Sequence, residues 1–167
     1  MEFIEYNDYY KDLLATMLSD FSIQHLELLK RPYQKEQILL EAYDEIQQYK
    51  NERYKIYLGK VNDTLIGYII LDYRSKQICW IENLYVLENQ RHQGYGSQML
   101  LKAKDQVQKE GFEGLSIDVV PRNIEAIRLY LKLGFDSLSM MTLRQDFKQS
   151  YRDQKTDILG NTFRISN

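Results

Sequence analysis

Arg91-His92-Gln93-Gly94-Tyr95-Gly96-Ser97 is the stretch on which the fold turns. It stands between an apolar run ending at Leu87 and a segment, Gly94 to Glu110, in which Met99, Ala103 and Val107 recur at i, i+4 and i+8. That pattern predicts a strand, a glycine turn and a helix. The first N–H groups of a helix have no intrahelical partner, and the helix dipole places partial positive charge there. Gly94 and Gly96 carry no side chain to hold a ligand away from that backbone, and Arg91 adds a fixed positive charge. The turn therefore suits a diphosphate. A purely structural turn would look the same at this stage.

Upstream, Gln77 to Leu87 reads as a strand. Ile78, Trp80, Leu84 and Val86 share one parity, and Glu82 falls on that same apolar side. Thr64 to Tyr73 is nearly continuous in apolar residues, which predicts burial on both faces. Asn62-Asp63 joins it to a strand at Tyr54–Leu58 as an antiparallel hairpin. Phe3 to Tyr6 reads as a short first strand. Helices are expected at Asp8–Leu18 and, beyond the Arg31-Pro32 break, at Tyr33–Tyr49.

Downstream, Gly111 ends the helix of the glycine turn, and a strand is expected at Leu115–Val120. Pro121-Arg122-Asn123 is a turn and cap signal for a helix from Ile124 to Leu133, stopped by Gly134. Phe135 to Phe147 is expected to be extended, and the polar tail either adds an edge element near Thr162 to Ile165 or trails. The order predicts an α/β (α+β) domain with helices on the faces of a mixed sheet. One domain, 1–167, divides into front helices (1–50), a core (54–147) and a tail (148–167).

A chain of 167 residues, 44% hydrophobic and 28% charged, is long enough to bury a core. The net charge of −2 and pI of about 5.8 argue against a dedicated nucleic-acid binder. A lone Cys79 allows no intrachain disulfide and no cysteine-rich metal site, and it is expected to be a buried, inert thiol. No metal is expected. The opening Met1-Glu2-Phe3-Ile4-Glu5 has neither a basic nor an apolar signal region, and no run is long enough to span a membrane. A cytoplasmic protein without membrane contact is expected. Residues 1–50 carry ten acidic and five basic side chains, net −5, against net +3 in the rest. Scattered surface charge on one domain would read the same way.

Three phosphate sites compete for the turn. A P-loop needs Lys-Ser/Thr after its second glycine, and no lysine follows Gly96. The dinucleotide fingerprint needs a third glycine where Met99 stands, which weakens a nicotinamide-binding reading. An acyl-CoA diphosphate site of pattern Arg-x-x-Gly-x-Gly remains. A second constellation sharpens the choice: Asn123, Ala126 and Tyr130 lie along one helix, with Gly134-Phe135 after it. Asn123 and Tyr130 are two turns apart, roughly 10 Å along the axis. Ala126 leaves room beside the tyrosine. Tyr130 as a core aromatic and Asn123 as a mere cap are the plainer alternatives.

With both motifs present, the chain resembles the GNAT superfamily of N-acetyltransferases. The likeness is good from Thr64 to Phe147 and looser ahead of it, carried by Ile81-Glu82-Asn83-Leu84-Tyr85-Val86, Arg91 to Ser97, Asn123/Ala126/Tyr130 and Gly134-Phe135. It implies a mostly antiparallel mixed sheet whose strands splay at an acetyl-CoA site. Backbone groups of Leu84, Tyr85 and Val86 would bond the pantetheine arm. Amides of Arg91, His92, Gln93, Gly94, Tyr95, Gly96 and Ser97 would hold the diphosphate. Asn123 would contact the arm or brace the splayed strands, with Ala126 beside it, and Tyr130 would protonate the leaving thiolate.

Acetyl transfer also needs a neutral amine, and an alkyl ammonium has a pKa of about 10.4, so a base helps. Glu82 and Asp118 are the candidate carboxylates, with ordered water as the third option. A backbone N–H near Leu84 or Val86 would serve the carbonyl oxygen. His25 lies in the region from which family members line their acceptor pocket, whereas His92 is expected to be exposed. Tyr33, Tyr43, Tyr49 and Tyr54 either line a pocket or pack. The acidic front favours a small cationic amine as acceptor. A peptide N-terminus, or a weakly catalytic CoA-binding sensor or scaffold, are the alternatives. Segment 135–147 and the tail offer contacts for a homodimer.

Overall fold

The computed structural model describes residues 1–145, 147 and 154–165. The order is β1 (Glu2–Glu5), a 3-10 turn (Asp8–Tyr10), α1 (Lys11–Leu28), α2 (Lys35–Tyr49), β2 (Tyr54–Val61), β3 (Thr64–Asp72) and β4 (Ile78–Val86). A second 3-10 turn (Glu88–Gln90), α3 (Tyr95–Lys109), β5 (Gly114–Ile117), α4 (Ile124–Lys132), β6 (Lys155–Ile158) and β7 (Asn161–Arg164) follow. Strands β1 to β5 form one sheet in sequential order, antiparallel except for the parallel β4–β5 pair.

The sheet is covered on both faces. On one, Leu14, Leu18, Ala42 and Ile46 of α1 and α2 meet Leu58, Tyr68, Ile70 and Tyr85. On the other, Met99, Leu100, Ala103 and Val107 of α3 meet Tyr57, Ile69, Leu71 and Ile81. β3 feeds alternate residues to the two layers, and hence reads as a continuous apolar run. The β2–β3 hairpin turns where Asn62 and Asp63 both adopt positive φ, 47° and 63°, the primed geometry that matches strand twist.

β4 departs from the sequence reading. Ile70 pairs with Asn83 and Leu71 with Ile81, so Glu82 is an extra residue with no partner on β3. A bulge of this kind reverses which face follows. Before it, Cys79 and Ile81 point to the α3 layer; after it, Leu84 and Val86 do, while Tyr85 joins the α1–α2 layer. The parity that linked Ile78 and Trp80 to Leu84 and Val86 does not hold across Glu82. Glu82 itself is exposed rather than on an apolar face.

Helix α1 runs ten residues past the expected end at Leu18. Nothing in Ser19–Leu28 breaks it, and Phe21 packs on the core. It stops where Lys30 turns left-handed at φ 55°, with Arg31 N–H donating to Leu26 O at 2.9 Å and Lys30 N–H to Glu27 O at 3.0 Å, a Schellman close. β5 ends at Ile117, three residues short of the expected Val120. Between 135 and 145 no strand forms. Leu138, Met140 and Leu143 are exposed there, and without a partner strand their backbone has no ladder to join. Asp146 and residues 148–153 of the expected segment and tail lie outside the described residues. The edge element expected near Thr162–Ile165 exists as β7, paired with β6 and not with the main sheet.

Candidate active site

The parallel pairing of β4 and β5 ends at Ile81 and Ile117, yet β4 continues to Val86. Past that point β4 faces a gap. Leu87 N–H donates to Ile66 O at 2.9 Å, and main-chain direction alternates in an antiparallel ladder. Tyr85 therefore turns its N–H and C=O to β3, while Leu84 and Val86 turn theirs into the gap. Consistent with this, Val86 O accepts from Arg91 Nε at 3.0 Å. On the β3 side the strands are pressed together: a Cβ built on Gly67 would lie 2.3 Å from Tyr85 O.

Helix α3 opens onto the same gap. Gly94 is its N-cap at φ 80°, with no side-chain cap bond and no acidic residue in the first turn. Gln98 N–H reaches back to Gly94 O at 3.0 Å, so the amides of Tyr95, Gly96 and Ser97 lead outward without intrahelical acceptors. A side chain at Gly94 would meet nothing within 4 Å, whereas a Cβ at Gly96 would sit 3.7 Å from Leu129 and 3.8 Å from Val86. The end of β4, the start of α3 and the middle of α4 thus converge on Gly96. His92, at φ 59°, and Gln93 are exposed on the approach. Arg91 spends its amide on Glu88 O at 3.2 Å.

Asn123 caps α4, its side chain accepting from Ala126 N–H at 3.2 Å. Ala126 and Tyr130 follow on that helix, both half-buried. The Tyr130 ring lies 5.9 Å from that of Phe135, and its hydroxyl has no partner among the described residues. Burial pushes that hydroxyl up to about 12. It therefore holds its proton and, among the described residues, has no acceptor for it.

The two candidate carboxylates sit differently. Glu82, on the bulge, is bound by Arg74 at 2.7 Å. Arg74 also binds Asp72 at 2.6 Å, and Arg53 grips Asp72 through two 2.7 Å bonds. Burial of Asp72 pushes its carboxyl up, but the two arginines outweigh that and hold it below the usual carboxylate range. Asp118, just beyond β5, is exposed.

On the opposite face of β4, an open cleft of about 570 Å³ is lined by Asp20, Ile23, Gln24, Glu27, Tyr85, Leu87, Glu88 and Asn89. It contains three carboxylates and no lysine or arginine. Tyr85 donates weakly to Asp20 at 3.5 Å, and burial raises its hydroxyl above the ordinary tyrosine range. None of the acidic residues was among those expected from sequence. The signal was present: Asp20, Gln24 and Glu27 are spaced i, i+4, i+7, but the helix carrying them was expected to end at Leu18. His25 is exposed beside Phe21 and does not line the cleft. Of the tyrosines considered, Tyr49 and Tyr54 border a second cleft of about 140 Å³, Tyr33 donates to Glu27 and Tyr43 to Asp12. Cys79 is fully buried and its thiol is pushed up to about 12 by burial. Among the described residues, no group of His, Cys, Asp and Glu could hold a metal, and no helix is long and apolar enough to cross a membrane.

Residues 22–135 match the model of the Acetyltransferase (GNAT) family. The uncharacterized N-acetyltransferase YvbK of Bacillus subtilis (strain 168) is 29% identical over 110 residues, 66% of this chain and 68% of its own. Among solved structures, the aminoglycoside N-acetyltransferase AAC(6')-Iy in complex with CoA superposes with a TM-score of 0.66 at 14% identity, over 88% of this chain and 95% of that one. A ribosomal-protein-alanine N-acetyltransferase from Brucella melitensis biovar Abortus 2308 does so with a TM-score of 0.65 at 12% identity, over 87% and 100%. At these identities the two structures share the fold.

Proposed function

The chain belongs to the GNAT family of acetyltransferases, and from that premise we propose that it moves an acetyl group from acetyl-CoA to a small cationic amine by direct attack in a ternary complex. One observation carries the donor half: β4 parts from β5 beside an uncapped helix N-terminus. The residues present fit that group, because Gly94 leaves open space, the first turn of α3 carries no acid, and the N–H groups of Leu84 and Val86 point away from β3. Acetyl-CoA would supply the activated acetyl group as a thioester.

Amides from Gly94 to Ser97 would hold its diphosphate, with His92 and Gln93 flanking. Leu84, Tyr85 and Val86 would run beside the pantetheine arm, and the Leu84 or Val86 N–H would donate to the carbonyl oxygen. Asn123 and Ala126 would border the arm. Tyr130 would give its proton to the departing sulfur, a role suited to a hydroxyl that burial keeps protonated. Glu82, held by Arg74, and Asp118 are the carboxylates available to take the amine's proton, directly or through water.

The acceptor half rests on the cleft. Asp20, Glu27 and Glu88 favour a ligand with more than one positive centre, and Tyr85 gives it an aromatic wall. The test is thiol release from acetyl-CoA against linear diamines, basic amino acids, an aminoglycoside and a peptide with a free N-terminus. Turnover should be fastest with dicationic amines. Asp20→Asn and Glu27→Gln should each lower kcat/KM for them by about tenfold. Turnover of the peptide alone would refute the cationic reading. Tight acetyl-CoA binding without turnover of any amine would replace catalysis with a sensing role.

A further inference from the structure

We propose that Arg91 is a positioning residue that ties the donor loop to the acceptor cleft, and that its side chain is not a ligand of the diphosphate. The inference rests on the acetyl-CoA site proposed above and departs from it only at this residue. Arg91 belongs to the glycine turn, yet every partner of its side chain lies away from α3. Nε donates to Val86 O at 3.0 Å, and an Nη donates to Gln24 Oε1 of α1. The guanidinium carbon stands 5.6 Å from the Tyr85 ring centroid. The residue's own N–H is spent on Glu88 O.

A guanidinium is a rigid planar fork, so donors committed in one direction are not free in another. Two of its nitrogens and one face are engaged between β4 and α1. The side chain therefore braces the last residue of the splayed strand against Gln24. Gln24 lines the acceptor cleft beside Asp20 and Glu27 on the same helix. A ligand that settles the 91–97 loop would also settle Val86 and this wall of the cleft. Coupling of that kind is reciprocal: the amine would tighten acetyl-CoA by the factor by which acetyl-CoA tightens the amine.

The experiment compares the wild-type chain with Arg91→Gln, Arg91→Lys, Gln24→Ala and the Arg91→Gln/Gln24→Ala pair. Acetyl-CoA affinity is measured by calorimetry and the KM for a linear four-carbon diamine by thiol release, with thermal melts to verify folding. A strut predicts acetyl-CoA Kd within about threefold of wild type in all four. It predicts an amine KM raised on the order of tenfold in each single variant, kcat changing less, and no loss in the pair beyond that of Arg91→Gln alone, because both substitutions break the Arg91–Gln24 link. Lysine should not rescue, since an ammonium cannot serve two fixed directions. A diphosphate ligand would behave oppositely: Arg91→Gln would lose tenfold or more in acetyl-CoA affinity, Arg91→Lys would recover part of it as a point charge, and Gln24→Ala would change nothing. That result overturns the proposal, as would additive losses in the pair. Should no amine turn over, the acetyl-CoA affinities and the lysine variant alone decide between strut and ligand. If wild-type protein fails to bind acetyl-CoA at all, the donor-site reading falls before any substitution is compared, and the strut falls with it.

Discussion

Gly67→Ala places a methyl group where β3 and β4 run close together. The new Cβ would lie 2.3 Å from Tyr85 O, 3.2 Å from Tyr85 C and 3.1 Å from Val86 Cα. All three are backbone atoms, and the strands are pinned by the Leu87 N–H to Ile66 O bond of 2.9 Å. Bringing the contact to 3.0 Å needs a movement of roughly 0.7 Å, which the ladder on either side must absorb. Overpacking costs about 1–3 kcal/mol, and stretching one or two ladder bonds adds about 1 kcal/mol. A loss of about 2–4 kcal/mol corresponds to a drop of roughly 4–16 °C in Tm for a domain of this size. The displaced segment is Leu84–Val86, so acetyl-CoA binding should weaken on the order of tenfold in protein still folded at the assay temperature. Gly59→Ala is the control. Its Cβ meets Met99 Sδ at 3.1 Å, Met1 Sδ at 3.3 Å and Ile66 Cδ1 at 3.4 Å, all ends of flexible side chains, and it should cost less than about 1 kcal/mol. Thermal melts and calorimetry on both variants check this. If Gly67→Ala melts within a degree of Gly59→Ala and binds acetyl-CoA as tightly, the close approach does not constrain β4 and the reasoning is wrong.

Tyr130→Phe removes a hydroxyl with no partner among the described residues, so stability should change by less than about 0.5 kcal/mol while kcat falls by roughly 10²–10⁴-fold; equal kcat across pH would discard the acid role. Burial alone raises that hydroxyl to about 12, so below the unfolded tyrosine value of about 10 it is neutral in both states and wild type and Tyr130→Phe should be equally stable; as pH rises from about 10 to about 12 only the unfolded chain ionises, so wild type should lose stability across that window and the variant should not. Asp72→Asn leaves Arg53 and Arg74 without their buried partner, and urea unfolding should show a loss of about 2–4 kcal/mol, moderated because both arginines reach solvent. Because Asp72 titrates below the usual carboxylate value of about 3.9, its contribution is present above that pH and lost as pH falls through the folded value. The variant and wild type should therefore converge in stability as pH falls through that lowered folded value.

The glycine turn and the helix of Tyr130 were legible because they are built from local rules. A glycine at φ 80° in front of a helix, an asparagine cap three residues before Ala126, and a tyrosine two turns on are each dictated by neighbours in sequence. Helices α2 and α3 were equally legible, since each follows a single helical period. What failed did so where a non-local event intervened. Glu82 looked inward because strand parity was carried across it, and nothing in Ile81-Glu82-Asn83 announces that β3 will skip a residue there. The strand expected across 135–147 depended on a partner, and β5 stops at Ile117.

The first of these bears directly on the candidate site. The bulge releases β4 from its register at the residue after its last pairing with β5, so the break in pairing and the reversal of faces coincide at Glu82. Without the bulge, Tyr85 would point toward α3 and Leu84 toward α1, and the cleft would lose its aromatic wall. The proposed acceptor side thus depends on two strands and a helix acting at a distance: Asp20, Gln24 and Glu27 share a cleft with Tyr85 only once the bulge has turned that ring toward α1. A register insertion of one residue sets Tyr85 in the cleft while the main chain of Leu84 and Val86 points away from β3, so one segment would serve the proposed donor through its backbone and the proposed acceptor through its side chain. Deleting Glu82 should consequently harm both half-sites together, whereas Glu82→Ala, which keeps the insertion, should spare the cleft.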